Sequence, residues 1–398
     1  MSSVLSRLNL VVNIRFPGPR AHGIQVAAMA EALAGTGLNV DVVVPRRFPY
    51  RDVDAWAHYG VRHTFGVQRL ASLDTIDLFP PRWQRVPFLV QSATFAWRAL
   101  ARTAVERDAG ILVRDHYTLA VLMGGLRRAD QARVAAEVHN LPAPGPRRDQ
   151  AVALLRRVPA VIAISDALAD DLVAAGLERS SVLVARDGVH LSRFHGMPDA
   201  PTARRHLHLP EQPTVVYAGQ FYPWKGVDTL IEAMAHLPGA QLLVVGGDAQ
   251  NLPRVVGLAQ RIAPGRVHFA GTVPHAAVPF HLSGGDVVVL PNSGKQEISA
   301  RFTSPLKLFE AMASRRPIVA SDIPSLREVL RHDRDALLVA PDDPAALAAG
   351  IGALLEDAQR GRRLAAAAAA EVSQYDWSVR GRSVAAFLRQ RLTVRTAR

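Results

Sequence analysis

Short continuous runs of β-branched and apolar residues alternate with helical stretches along the whole chain. In the first half the runs are LNLVVNI (8–14), VDVVVP (40–45), GILVRD (110–115), RVAAEVH (133–139), AVIAIS (160–165) and SVLVA (181–185). In the second half they are TVVYAG (214–219), QLLVVGG (241–247), RVHFAG (266–271), DVVVLPN (286–292), RPIVAS (316–321) and ALLVAP (336–341). A strand that is apolar at every position has no face to give to water. Such strands, each followed by a helix such as GIQVAAMAEALAGTG or VDTLIEAMAHLPG, belong in parallel sheets covered on both sides. The two runs of six are separated by FHGMPDAPTARRHLHLPEQP (194–213), which is rich in Pro and His and holds no strand. The pattern predicts an α/β protein of two doubly wound, Rossmann-like domains: 1–198, 199–375, and a closing helix at 376–398 that returns toward the first. Ligands of such sheets bind off the carboxyl ends of the strands. Two such domains facing each other across a cleft would supply two half-sites.

Composition narrows the chemistry. Among 398 residues there is no cysteine, so thiol catalysis, disulfides and thiolate metal sites are excluded. The opening MSSVLSRLNLVVNIRF reads as a first strand rather than a signal peptide. No run approaches the roughly 18 apolar residues that would cross a bilayer, so a cytoplasmic location is expected. The net charge of +12 is spread evenly between the halves and suits an anionic small substrate, an anionic lipid surface or nucleic acid equally well.

Only three of the 47 basic residues are lysine: Lys225, Lys295 and Lys307. Where arginine is favoured so heavily, a retained lysine points to a need for a compact, rotatable ammonium. Lys225 sits in YAGQFYPWKGVDTLIEA (217–233), a strand, a loop and a helix beginning after Gly226. That places it beside exposed helix N–H groups, a suitable anion site; a solvated lysine before a glycine is the other reading. Lys307 and Glu310 lie in RFTSPLKLFEAMASRRPIVAS (301–321), where Thr303 or Ser304 caps a helix and Pro305 opens it. Glu310 is suited to two adjacent ribose hydroxyls, or to an i,i+3 ion pair with Lys307.

TSPLKLFEAMASRRPIVASDIPSLREVL together with GQFYPWKGVDTLIEA closely resembles the nucleotide-sugar half of glycosyltransferase family four, retaining enzymes of GT-B architecture. AHGIQVAAMAEALAGTGLNVDVVVP, AEVHNLP and VIAISDALADDLVAAG resemble that family's first domain, so the likeness covers nearly the whole chain. The resemblance implies that a donor diphosphate is held by Lys225, with Gly219 and Gln220 before it, and by the loop Thr303, Ser304, Pro305 and Leu306. It implies that Glu310 binds the ribose and that His139 contacts the transferring sugar near its anomeric carbon. Gly23, lacking a Cβ, would let backbone approach the donor. No strong protein base is needed in a retaining reaction, because the leaving phosphate can take the acceptor proton.

Two positions depart from the family pattern. Phe302 stands where a first glutamate is usual, leaving that role to a residue such as Glu297 or to none. Gln220 stands where arginine is common, and Lys307 of the SPLK sequence is the substitute cation. Asp52-Val53-Asp54 has the spacing of a divalent-metal pair but follows the second strand, away from the donor loop, so no metal is expected. VVGGDAQ lacks the full dinucleotide fingerprint, and no nicotinamide or other cofactor is expected. The segment 80–105 mixes aromatics with Arg82, Arg85, Arg98 and Arg102 and reads either as a buried helix or as one lying on an anionic membrane. The expected partners are a nucleotide-sugar donor and an acceptor the sequence does not name, with no nucleic acid. A weakly catalytic accessory subunit and a nucleotide-sugar epimerase are the alternatives.

Overall fold

The computed structural model describes residues 2–3, 5–18, 21–47, 53–301 and 306–395. The chain divides into two units, Met1–Arg186 with Trp377–Arg398, and Asp187–Asp376. The first unit opens with β1 (Ser2–Ser3) and then β2 (Arg7–Val11), β3 (Asn39–Pro45), β4 (Gly66–Leu70), β5 (Ala109–Val113), β6 (Val134–Val138), β7 (Ala160–Ala163) and β8 (Val182–Val184). Strands β2 to β8 form one seven-stranded sheet in the order β4-β3-β2-β5-β6-β7-β8, every pairing parallel. The second unit holds β9 (Thr214–Gly219), β10 (Gln241–Gly246), β11 (Val267–Gly271), β12 (Val287–Leu290), β13 (Ile318–Ser321) and β14 (Leu337–Val339). These make a six-stranded parallel sheet in the order β11-β10-β9-β12-β13-β14. A last short strand, β15 (Val394–Arg395), pairs antiparallel with β1.

The second sheet explains why its strands are apolar throughout. Val215, Tyr217, Leu242, Val244, Val287, Val289 and Val319 pack into one core. Their chain neighbours Val216, Leu243, Val245, Val288, Ile318 and Ala320 pack into another. Successive residues of a strand point to opposite faces, and here each face is covered, so alternation between apolar and polar is lost. In both sheets the chain starts centrally, builds outward to one edge, and returns to build the other. The direction changes between β2 and β5 in the first sheet and between β9 and β12 in the second. At these switch points the loops leaving the carboxyl ends diverge and leave a crevice for a ligand.

Two features depart from the sequence expectation. The first sheet has a strand more than expected, β4, whose five residues GVQRL are all half-buried. It is an edge strand, so it needs no continuous apolar run. The second unit begins at Asp187, before the Pro- and His-rich stretch. The entering and leaving segments bind each other there: the Val189 amide donates to the Tyr375 carbonyl (2.9 Å) and the Leu191 amide to the Asp376 carboxylate (3.2 Å). The helix Trp377–Arg391 belongs to the first unit, where a Cβ on Gly381 would lie 2.6 Å from the Ala32 carbonyl oxygen of helix Ala21–Ala34. That approach needs glycine.

Candidate functional site

In the second unit the loop after β9 is held in place before any ligand arrives. Tyr217, wholly buried in β9, donates its hydroxyl to the Gln220 carbonyl (2.7 Å). A Cβ on Gly219 would stand 2.8 Å from that same hydroxyl. The loop then turns through Pro223–Lys225 and ends on Gly226 in the left-handed conformation (φ 74°). Gly226 lies so close to the Pro291 carbonyl that a Cβ would be 1.6 Å from its oxygen. The Ser293 amide (3.0 Å) and Ser299 hydroxyl (3.2 Å) both donate to the Trp224 carbonyl. Lys225 is therefore fixed at the switch point between β9 and β12. Among the described residues it has no carboxylate partner, and desolvation lowers its pKa from 10.5 to about 8. The helix that follows, Val227–Ala233, has only seven residues. Desolvation of the ammonium, more than a helix terminus, sets the electrostatics at this position.

Lys307 comes from the helix Leu306–Ala313. Its ammonium lies over the Tyr217 ring, 5.0 Å from the centroid, in cation–π contact. Nζ is buried and has no hydrogen-bond partner among the described residues. Its pKa is pushed well below the ordinary lysine value, first by desolvation and then by the charge of Lys225. The two ammonium groups thus feel each other's charge, Nζ of Lys307 is buried, and among the described residues no acid pairs with either. The i,i+3 pair between Lys307 and Glu310 is not formed. Glu310, 8% exposed, is engaged by His275 instead, Nε2 to Oε1 2.6 Å. After β12, Asn292 is fully buried, with both amide atoms unpartnered among the described residues. Leu306 opens the helix, while Thr303, Ser304 and Pro305, with Phe302, lie outside the described residues. Glu297 is exposed and pairs with Arg301 (3.5 Å), a surface pair of small energy.

In the first unit His139 follows β6, with its side chain 29% exposed. Nε2 lies 3.0 Å from Glu137 Oε1 and also contacts the Arg114 guanidinium. Glu137 is fully buried between Arg114 (3.5 Å) and Arg380 (3.2 Å). Burial alone would raise its pKa, but the two guanidinium groups outweigh that and hold the carboxylate well below the usual range. Arg114 also donates to Gln25 of the first helix (2.5 Å). Gly23 is buried in that helix, and a Cβ there would meet the Tyr59 hydroxyl at 2.0 Å. Its glycine is explained by the packing of Tyr59, whose hydroxyl accepts from the Gly18 amide (2.7 Å). Of the spaced aspartates, Asp52 lies outside the described residues, and Asp54 caps the helix Ala55–Tyr59 by accepting from the Trp56 and Ala57 amides. Among the described residues no group of three or more His, Asp or Glu side chains is placed to hold a metal ion.

Residues 212–357, which carry Lys225, Lys307, His275 and Glu310, match the family model described as Glycosyl transferases group 1. This segment is a glycosyl transferases group 1 domain. The chain is 34% identical over 236 residues to a D-inositol 3-phosphate glycosyltransferase of Xylanimonas cellulosilytica, covering 54% of this chain and 55% of the relative. It is 36% identical over 203 residues to a phosphatidyl-myo-inositol mannosyltransferase of Mycobacterium tuberculosis, covering 48% of this chain and 50% of that protein. The chain thus spans about half the length of these curated relatives. Among solved structures, sucrose-phosphate synthase from Thermosynechococcus elongatus superposes with a TM-score of 0.77 at 24% identity, covering 96% of this chain and 99% of the other. An Anabaena protein, HepE, solved in complex with UDP-glucose, gives a TM-score of 0.73 at 19% identity over 96% of this chain and 99% of its own. At such identities the likeness concerns the fold alone, and that fold is GT-B: two Rossmann-like domains in one chain.

His275, Arg114, Glu137 and Asn292 were not singled out from the sequence. A histidine or asparagine in a loop has no periodicity to betray it. Only Glu137 carried a signal, as a lone acid inside an otherwise apolar strand.

Proposed function

We propose that this protein is a retaining glycosyltransferase that moves a hexosyl-type sugar from a nucleoside-diphosphate sugar to an acceptor hydroxyl. The observation that carries the reading is the pair Lys225 and Lys307. Lys225 stands at a strand switch point, its charge reaches Lys307, and among the described residues neither is paired with an acid. Burying unpaired like charges is costly, and the cost is recovered when an anion of matching charge enters. A pyrophosphate supplies that charge and bridges two cations, which leaves the electrostatic role of a metal ion to the lysines. Glu310 accepts from the ribose hydroxyls with the oxygen that His275 leaves to it. His139 is assigned a contact with the transferring sugar on the family resemblance alone. In the reaction the bond from the anomeric carbon to the diphosphate oxygen breaks and a bond to the acceptor oxygen forms on the same face. The acceptor's proton passes to the departing phosphate, whose charge the lysines stabilise.

Two of the relatives are named for D-inositol 3-phosphate and phosphatidyl-myo-inositol, so inositol phosphates and phosphatidylinositol are the first acceptors to test. The first unit offers a surface that suits a lipid-borne acceptor. The helix Arg85–Val105 presents Val86, Leu89, Val90 and Trp97 outward at helical spacing, next to exposed Trp83 and Phe79. No acid occurs between Asp77 and Glu106, whereas Arg82, Arg85 and Arg98 are exposed; Arg102 is spent on ion pairs with Asp41 and Glu106. Apolar side chains ringed by cations favour an anionic bilayer surface. No helix among the described residues is long and apolar enough to cross one.

The test is incubation with UDP-, GDP- and ADP-hexoses, with and without these acceptors, read by intact mass. Transfer, or slow release of free hexose without acceptor, supports the enzyme. Binding without turnover supports an accessory subunit, and interconversion of the sugar supports an epimerase. Co-sedimentation with phosphatidylglycerol vesicles but not phosphatidylcholine vesicles, lost in Trp83→Ser/Val86→Ser, supports the membrane surface; equal behaviour on both refutes it.

A further inference from the structure

Glu310 does not stand alone. Its partner His275 lies in the turn His275–Ala277 after β11, and His275 is in turn contacted by Arg193 of the turn Leu191–Phe194, Nη1 to Nδ1 3.0 Å. A guanidinium nitrogen can only donate, so Nδ1 is the accepting nitrogen of the ring. The ring proton therefore sits on Nε2 and is donated to Glu310 Oε1 across 2.6 Å. Three segments far apart in the chain converge to fix one oxygen of a buried carboxylate, its rotamer, and the direction in which the second oxygen can accept. Lys307, one turn earlier on the same helix, takes no part.

We infer that His275, oriented by Arg193, is a positioning residue that aims Glu310 at the ribose and so sets the preference for a ribonucleoside over a deoxygenated one. The inference rests on the proposed role of Glu310 and adds what makes that role selective. A free glutamate would have to be ordered when the ligand binds; here the ordering is already done. A carboxylate whose second oxygen is preset rejects a nucleoside lacking the hydroxyls, because that oxygen would be buried without a donor.

The experiment is isothermal titration of the 398-residue chain with whichever of UDP, GDP and ADP binds tightest, with its 2′,3′-dideoxy analogue, and with inorganic pyrophosphate. The wild type should prefer the ribonucleotide by at least tenfold. In His275→Phe that ratio should fall to within threefold of unity, as it should in Glu310→Ala, and the double variant should lose nothing more. Pyrophosphate affinity should stay unchanged in all three, a readout that general disruption of the unit would move. His275→Gln, whose amide can still donate to Glu310, should recover part of the ratio. A full ribose preference in His275→Phe overturns the inference, and so does a parallel loss of pyrophosphate binding. A full preference in Glu310→Ala overturns the ribose assignment itself, and binding of none of the three nucleotides overturns the donor-site reading beneath it.

Discussion

The two units bury charge in opposite ways. In the first, Glu137 is closed in by Arg114 and Arg380, and His139 reaches the surface from the edge of that network. In the second, neither Lys225 nor Lys307 is paired with an acid among the described residues, and Glu310 is taken by His275. Paired buried charges hold a scaffold in one arrangement. Unpaired ones weaken the empty protein, and they persist where a ligand of opposite charge repays them. The difference is what the proposed binding role of the lysine pair rests on.

The comparison breaks first at Glu137. Glu137→Leu leaves two guanidinium groups buried without their carboxylate, and a stability loss of about 3–5 kcal/mol is expected in chemical denaturation. Nearly wild-type stability would show that the network holds nothing. Next is Gly226→Ala. A left-handed alanine costs about 1–2 kcal/mol, and the clash with the Pro291 carbonyl about 1–3 kcal/mol more. The variant should lose both stability and pyrophosphate affinity, since Lys225 moves with the loop. Lys307→Met sharpens the contrast further, because the same change should have effects of opposite sign. Pyrophosphate and nucleotide affinity should fall at least tenfold, about 1.4 kcal/mol. The empty protein should melt higher, because an unpaired buried ammonium is replaced by an apolar side chain of similar length. A lower melting temperature, or unchanged affinity, contradicts the reading.

The smallest effect is on pH. Desolvation lowers Lys225 to about 8, so between about pH 8 and pH 10.5 the unfolded chain holds a proton that the folded chain has lost. Stability of the empty protein therefore rises with pH across that window. Pyrophosphate binding needs the charged form and should weaken as pH rises through 8. At pH 8 binding should take up about half a proton at Lys225. Titrations in two buffers of different ionisation enthalpy measure it, and equal apparent enthalpies would rule it out.

Much of this was legible beforehand. All twelve expected apolar runs became strands, because continuous hydrophobicity over a few residues has few other outcomes in an α/β chain. The scarcity of lysine pointed to Lys225 and Lys307, and the structure sets Lys307 over the Tyr217 ring, where it feels the charge of Lys225. Gly23 was legible as a glycine under constraint but not for its reason, the Tyr59 hydroxyl. Edge strand β4 escaped notice because a strand exposed on one side need not be apolar.

What the sequence determined by itself is local: which segments are strands and helices, where glycine and lysine must stand, and that two layered α/β units follow. Only the tertiary structure decided which charges meet. Whether Glu310 pairs with Lys307 three residues away or with His275 on another loop depends on where separate segments are brought in space. The return of the last helix toward the first unit was expected from the sequence, but that it carries Arg380 to Glu137 was decided only by the folded chain. Local propensity acts within a few residues, whereas the cost of an unpaired buried charge is felt only once the whole surround is assembled.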